Sequence, residues 1–524
     1  MMNDRTPANI IIGMILLITV ITGIFSYIAP PAIFPDPSWG FQVMHSMEKG
    51  GGFNLLIGPD QLDIAKDSAQ FLTWWSPGQY LMPYFFRSIL HVNTGHAAVL
   101  TSVICELIGV IGFFALFKRL GFTPLLSAAS VAFIACQQFY FIPYAFYNGG
   151  EVLMFAFVGW FLYGCFSFKR ISAGMMLFVL LAGWAGFFSK SSMMLIYAAG
   201  LLCLWINISL PRKDIAAWIK NGVAIGIPFL LSVAGIYLFY LSKGDNPAAD
   251  HQLGWRVIWE TFTFPLASPL LAGFSIDDLT KGLVYSPDGA IFSHTGVVLI
   301  LIALAALSLS LIWAILRFVP YQPYKLALIV YYLIMVGFFS YAFFKQLAIS
   351  YEARHFRTIG LLIIPGTLYL VAKSKPAFRV AFGLIWIFIA YKSIERIHNE
   401  YNYNKNEGVH GRTGITQQFA DQPTLDTIMH MDDTERDAIF VFVSADLGLE
   451  IQHNRFITIE PIGLDVKMDP ADYVYQGHAG PLHILLPADY TTNGRANFIM
   501  NSFKGYKDFT PRKLSGEYTL WTAK

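Results

Sequence analysis

Eleven stretches of mostly apolar residues, each close to the length a helix needs to cross a bilayer, constrain this chain more than any other feature. A helix rising 1.5 Å per residue needs about 20 apolar residues to span the hydrocarbon core. By that rule the runs fall at 9–29, 96–117, 122–141, 151–168, 172–189, 192–209, 215–241, 295–317, 324–343, 356–372 and 377–392. Inside lipid each backbone polar group must be satisfied within its own segment, which makes such runs helices. The chain therefore reads as an α-helical polytopic membrane protein with about eleven transmembrane helices. Its composition, 55% hydrophobic and 13% charged over 524 residues, excludes a soluble globular class.

The formal net charge of +2 hides two unlike parts, +8 over residues 1–392 and −6 over residues 393–524. All four cysteines (Cys105, Cys136, Cys165, Cys203) lie in apolar runs, so neither a disulfide framework nor a zinc spacing is offered. The first run lacks a small-residue cleavage site and reads as an uncleaved first helix. Cations at alternate junctions set the orientation: Arg5, Lys118–Arg119, Lys169–Arg170, Arg212–Lys213, Arg317 with Lys325, and Lys373–Lys375 fall on the side that retains Lys and Arg, the cytoplasmic one. The alternation requires residues 74–91 to lie at the interface and not to span. Their two prolines, paired Trp and terminal Arg suit an amphipathic interfacial helix. The N-terminus is then cytoplasmic and the C-terminal part extracytoplasmic.

Two domains follow, a transmembrane one over 1–392 with long external loops at 30–95 and 242–294, and a soluble α/β one over 393–524. In the latter, residues 437–443 and 482–487 read as buried strands, 518–522 as an edge strand and 494–503 as a short helix.

Chemistry concentrates at the external junctions. Asp36, in Phe34-Pro-Asp-Pro-Ser-Trp-Gly-Phe41, is a carboxylate held between two prolines directly after the first run. It serves as a helix N-cap, with Pro37 at the first helical position, or as a positioned catalytic base, and the two roles are compatible. Asp63 and Asp67 share a helix face by spacing, with Lys66 between them, and read as solvated. Glu151, after Tyr147-Asn-Gly-Gly150, opens a run where a carboxylate complements the helix dipole. Lys190, in a very short outer turn, is an unexpected outside cation suited to an anion. Tyr351-Glu-Ala-Arg-His-Phe-Arg357 is the densest ionisable cluster, and Arg354, His355 and Arg357 there present donors suited to a phosphate at headgroup level. Glu106 is a mid-span carboxylate. Metal-spaced histidines, phosphate-cradling glycine loops and serine–histidine motifs do not stand out.

Taken in order, these motifs resemble the GT-C superfamily of membrane glycosyltransferases, in particular the branch of protein O-mannosyltransferases and the lipid A aminoarabinose transferase. The resemblance lies in the acidic first loop at Asp36, the glycines of Met47-Glu-Lys-Gly-Gly-Gly-Phe53, the interfacial Ser76-Pro-Gly-Gln-Tyr80, the outer Ser189-Lys-Ser191 and Glu352-Ala-Arg-His355 opening a late span. Two departures from the branch are Pro37, where a second acid often follows the first, and His355 in place of tyrosine.

The resemblance implies transfer of a sugar from a polyprenyl-phosphate-linked donor to a glycan, lipid or protein acceptor, at the outer face of a bacterial-type inner or plasma membrane. Asp36 would be the general base. Lys190, Arg354, His355, Arg357, Glu151 and Gln79 would bind substrate. The resemblance fixes no cofactor and leaves a divalent metal open, and the partners it implies are the lipid-linked donor, the acceptor and membrane lipids, with no nucleic acid. The alternatives are a membrane glycan polymerase or ligase, and a non-enzymatic lipid-linked sugar transporter or flippase. Against the last, Glu106 is the single internal charge and paired broken helices are not evident.

Overall fold

The computed structural model describes residues 4–212, 214–244, 254–286, 289–347, 349–459, 474–492 and 494–524. Each of the eleven apolar runs is helical. Eight of the helices are long and apolar enough to cross a membrane: Arg5–Ile28, Thr94–Arg119, Gly150–Ser167, Ile215–Lys243, His294–Phe318, Gln322–Phe344, Ala353–Lys373 and Pro376–Asn406. The run at 122–141 forms a pair, Pro124–Ala135 and Gln138–Ala145, bent by 48°, and Ala173–Ser189 and Met193–Ser209 are apolar helices of 17 residues. Large apolar side chains such as Leu17, Leu230, Leu299 and Trp313 stand exposed on these helices. Helices apolar on their outer faces as well as their inner ones belong in lipid. The chain is an integral membrane protein.

The contacts divide the described chain into two compact units. One comprises Met1–Ile24, Ser102–Pro143 and Gly150–Asn399; the other comprises Phe25–Thr101, Tyr144–Gly149 and Glu400–Lys524. The segment after the first helix thus falls with the C-terminal segment, a grouping that a division at residue 392 does not give.

In the membrane unit the most enclosed span is Ala353–Lys373, with 72% of its apolar window buried, against 11% for Pro376–Asn406. Its neighbour is a helix within residues 242–294, a stretch that carries no apolar run of span length. Trp259–Gly273 has 15 residues and two internal prolines, Pro265 and Pro269, so it falls short of the length that marks a span. It is nonetheless core, with Phe264, Ala267 and Leu271 fully buried. Its end crosses the Ala353–Lys373 helix closely, since a Cβ on Gly360 would meet the Ala272 backbone at 2.6 Å. Small residues at such crossings let helix backbones approach where the lipid alternative is equally apolar.

The second unit is built on a five-stranded sheet in the spatial order Thr510–Lys513, Tyr518–Ala523, Leu482–Pro487, Ile439–Phe442, Arg455–Thr458. The last three run parallel and the others antiparallel. Tyr518–Ala523 is an interior strand and not the edge. The true edge, Thr-Pro-Arg-Lys, is exposed throughout and has no apolar alternation to reveal it. The first loop is knitted into this unit. Ile64 lies in the sheet's core cluster, fully buried; its N–H donates to Gln476 O at 2.8 Å, and the Gln476 N–H donates to Gln61 O at 2.8 Å. The segment carrying Asp63 and Asp67 is not a helix. Leu55–Pro59 and Asp67–Phe71 pair as an antiparallel hairpin, with Asp63 bound to Lys66 at 2.9 Å and Asp67 to Arg455 at 3.3 Å.

Residues 78–90 form a 13-residue helix, too short to span. It buries Gly78, Gln79, Tyr80 and Pro83 in its first half and exposes Phe85, Ile89 and Leu90 in its second.

Candidate functional site

In the membrane unit, Glu151, Lys190 and the Arg354 turn, far apart in sequence, come together at helix ends. Gly149 takes the left-handed region at φ +51°, where glycine has no Cβ penalty, and the Gly150–Ser167 helix starts after it with Glu151 in its first turn. Lys190 is the extended residue that closes the Ala173–Ser189 helix. Its methylenes lie along Gly150, where an added Cβ would sit 3.2 Å from Lys190 Cγ. Lys190 Nζ donates to Glu151 Oε1. Arg354 approaches the same oxygen at 3.8 Å and donates to Glu352 Oε2 through Nη2 at 3.0 Å and Nε at 3.1 Å. His355 Nε2 lies 3.4 Å from Ser350 Oγ, which also bonds Glu352. Two cations and two carboxylates, each largely enclosed, are thus interleaved. Glu352, which balances Arg354, went unassigned in the sequence; its signal is the two-residue spacing to Arg354.

Arg357 points elsewhere. It is 4% exposed, donates to Ala272 O at 3.1 Å, lies 3.5 Å from Asp278 and stacks over Phe139 at 4.1 Å. Its guanidinium is engaged in joining the Ala353–Lys373 helix to the segment after Gly273, a use that spacing to Arg354 does not reveal. Glu106 is buried beside Tyr140, whose hydroxyl sits 2.6 Å from Thr19.

In the second unit, Asp36 occupies the first turn of the Pro35–Glu48 helix. The helix starts earlier than the capping pattern implies: Phe34 holds the cap position, so Asp36 is inside the helix and not its N-cap. There the carboxylate still meets the positive end of the helix dipole. The approach to it is fixed by a two-residue parallel pairing of Ala32–Ile33 with Phe146–Tyr147 and by Phe34 N–H to Tyr147 O at 3.0 Å. Gln42, one face further on, donates to Ala445 O at 2.7 Å and Thr458 Oγ1 at 2.9 Å, which ties the Asp36 helix to the sheet. Gln79 is brought to the same helix start, because a Cβ on Gly149 would touch Gln79 at 2.6 Å and Pro37 at 3.4 Å. The Gln79 amide nitrogen is sealed from solvent and has no partner among the described residues, and the same holds for Trp74 Nε1, Ser76 Oγ and Asn148 Oδ1.

Among the described residues, one group of side chains has metal-ligand proximity, Asp432, Asp433 and His453, with ligand atoms within 4.8 Å of one another. Arg412 already bridges both carboxylates, at 2.8 Å to Asp432 and 2.6 Å to Asp433. Asp432 also accepts the N–H groups of Gln452, His453 and Asn454. A guanidinium and three amides give this group a structural account.

No protein-family model matches the chain, and no curated protein does. Solved structures do. ArnT from Cupriavidus metallidurans bound to undecaprenyl phosphate aligns over 97% of both chains with a TM-score of 0.53 at 11% identity. The Archaeoglobus fulgidus oligosaccharyltransferase aligns over 97% of this chain and 74% of its own, with a TM-score of 0.53 at 12% identity. The chain has the GT-C fold. Within that fold, the turn that opens the Ala353–Lys373 span and the Lys190 turn bring Arg354 and Lys190 to one carboxylate, Glu151.

Proposed function

We propose that the chain is a polyprenyl-phosphate-sugar-dependent glycosyltransferase acting at the outer face of the membrane. The observation that carries the reading is the enclosed Lys190–Glu151–Arg354–Glu352 cluster at the ends of apolar helices. Cations enclosed at the ends of apolar helices suit a lipid phosphate, and a guanidinium fork suits its oxygens. Support also comes from the fold, shared with a protein bound to undecaprenyl phosphate.

In the proposed reaction an acceptor hydroxyl or amine loses its proton to the Asp36 carboxylate as it attacks the anomeric carbon. The bond from that carbon to the phosphate oxygen breaks, and the electron pair leaves with the lipid phosphate. Lys190 and Arg354, with His355 beside them, offset the charge that grows on the departing phosphate. Glu151 and Glu352 hold the two cations in place before the donor arrives. Arg357 acts through the segment it anchors. On the acceptor side, Gln79 and the unpartnered Trp74, Ser76 and Asn148 groups suit a ligand rich in hydroxyls, because buried polar groups without partners are costly.

Undecaprenyl phosphate binding to the purified full-length protein tests the donor half. Arg354→Ala and Lys190→Ala should lose most of the affinity, and unchanged binding in both would remove these residues from the phosphate site. Asp36→Asn should keep the binding while sugar transfer from a polyprenyl-phosphate donor disappears; full transfer in that variant refutes the base.

A further inference from the structure

We propose that Asp277 is a positioning residue for the Arg354 turn, its carboxylate accepting the Ala353 N–H and so fixing the point from which the guanidinium reaches out. The inference rests on the reading of Lys190 and Arg354 as a phosphate site.

The geometry is unusually complete for a segment between helices. After the Trp259–Gly273 helix the chain turns at Ser275, in the left-handed region at φ +50°, into the short helix Ile276–Leu279. Gln137 clamps that turn from another element, donating to Gly273 O at 2.9 Å and accepting from Ser275 Oγ at 2.6 Å. Asp277 is 5% exposed. Its Oδ2 accepts Ala353 N–H at 2.7 Å and its Oδ1 accepts Leu283 N–H at 2.9 Å. Asp278, next to it, reaches Arg357 at 3.5 Å. Gly273 lies so close to the facing helix that an added Cβ would meet Gly360 O at 3.0 Å.

A carboxylate is the side chain this place requires. Both of its oxygens accept from backbone N–H groups, whereas an amide has one acceptor oxygen and would turn an NH2 against an N–H. Ala353 is the first residue of the 3-10 turn Ala353–Phe356, so the Asp277 bond acts one residue before Arg354. A buried polar contact at that point sets the turn's height against Glu151 and Glu352. Displacement of a binding group by about 1 Å can cost ~10²-fold in rate.

The test is a double-mutant cycle on undecaprenyl phosphate binding, with full-length protein in detergent. Asp277→Asn is nearly isosteric and should weaken binding about tenfold, a fraction of the loss that misplacing a group produces. Arg354→Ala should weaken it further, and the double variant should bind no worse than Arg354→Ala alone, because Asp277 acts through Arg354. Losses that multiply in the double variant, or wild-type affinity in a folded Asp277→Asn, overturn the assignment. Arg354→Ala binding like the wild type overturns instead the phosphate reading beneath it. Hydrogen exchange on the unmodified chain is a check that no variant's folding can spoil. The Ala353 amide should be strongly protected, and exchange at the rate of an open loop also overturns the proposal.

Discussion

Glu151→Gln separates the two jobs of the cationic cluster. Glu151 pairs with Lys190 and lies 3.8 Å from Arg354, and the three side chains are 17%, 18% and 26% exposed. At that distance a charge pair with an effective dielectric of 20 is worth about 4 kcal/mol. Removing one partner of a buried pair costs about 3–5 kcal/mol, because the other charge stays enclosed. Two neighbouring cations left without their shared carboxylate, with partial solvent access, put the cost near the lower end, about 3 kcal/mol. The variant should therefore unfold at a clearly lower temperature than the wild type in detergent. A lipid phosphate supplies the missing negative charge without first displacing a carboxylate. Saturating undecaprenyl phosphate should consequently raise the variant's midpoint by more than it raises the wild type's. The assay is thermal unfolding of both proteins with and without the lipid phosphate. An unchanged midpoint in the absence of lipid, or equal lipid shifts in the two proteins, refutes the reasoning.

Two further outcomes concern the second unit. Burial, reinforced by the nearby Glu450 charge, pushes the Asp446 carboxyl up to about 7 even though it accepts the Leu447 N–H. A carboxyl whose folded pKa is raised contributes stability that is full below its unfolded value of about 4 and is lost as pH rises through about 7. Asp446→Asn should hence flatten the dependence of the thermal midpoint on pH between 5 and 8 and raise the folded state's stability at pH 8 by up to about 4 kcal/mol; an unaltered pH slope refutes this. Gln42→Ala should leave the Ala445 carbonyl and Thr458 hydroxyl unpaired, a loss of about 1–3 kcal/mol. It should speed hydrogen exchange in the Pro35–Glu48 helix, and wild-type protection there would show that the two bonds do not anchor it.

How much was legible before folding depends on the range of the forces involved. Residues 74–91 carry local residue types that suit a short helix, and a 13-residue helix forms at 78–90. The central strands of the tail declared themselves as short apolar runs, Ile439–Phe442 and Leu482–Pro487. The exposed strand Thr510–Lys513 carries no such signal and was missed, which made its interior neighbour look like an edge. The proline-bearing helix Trp259–Gly273 was passed over because its burial comes from protein neighbours, and span length is a rule about lipid. Glu151, Lys190 and Arg354 were each visible as ionisable residues at helix ends, but their pairing was not.

The sequence by itself determined that this chain is a membrane protein of apolar helices with Glu151, Lys190 and Arg354 at helix ends, because a bilayer leaves a hydrophobic run little choice but to satisfy its own backbone. Only the tertiary structure decided which charge meets which. Glu151 shares its oxygen with Lys190 and Arg354, Arg357 turns away to Asp278, and Asp277 holds the Ala353 amide. Ion pairs and hydrogen bonds act over a few ångströms, and helix packing alone brings residues from separate spans within that reach.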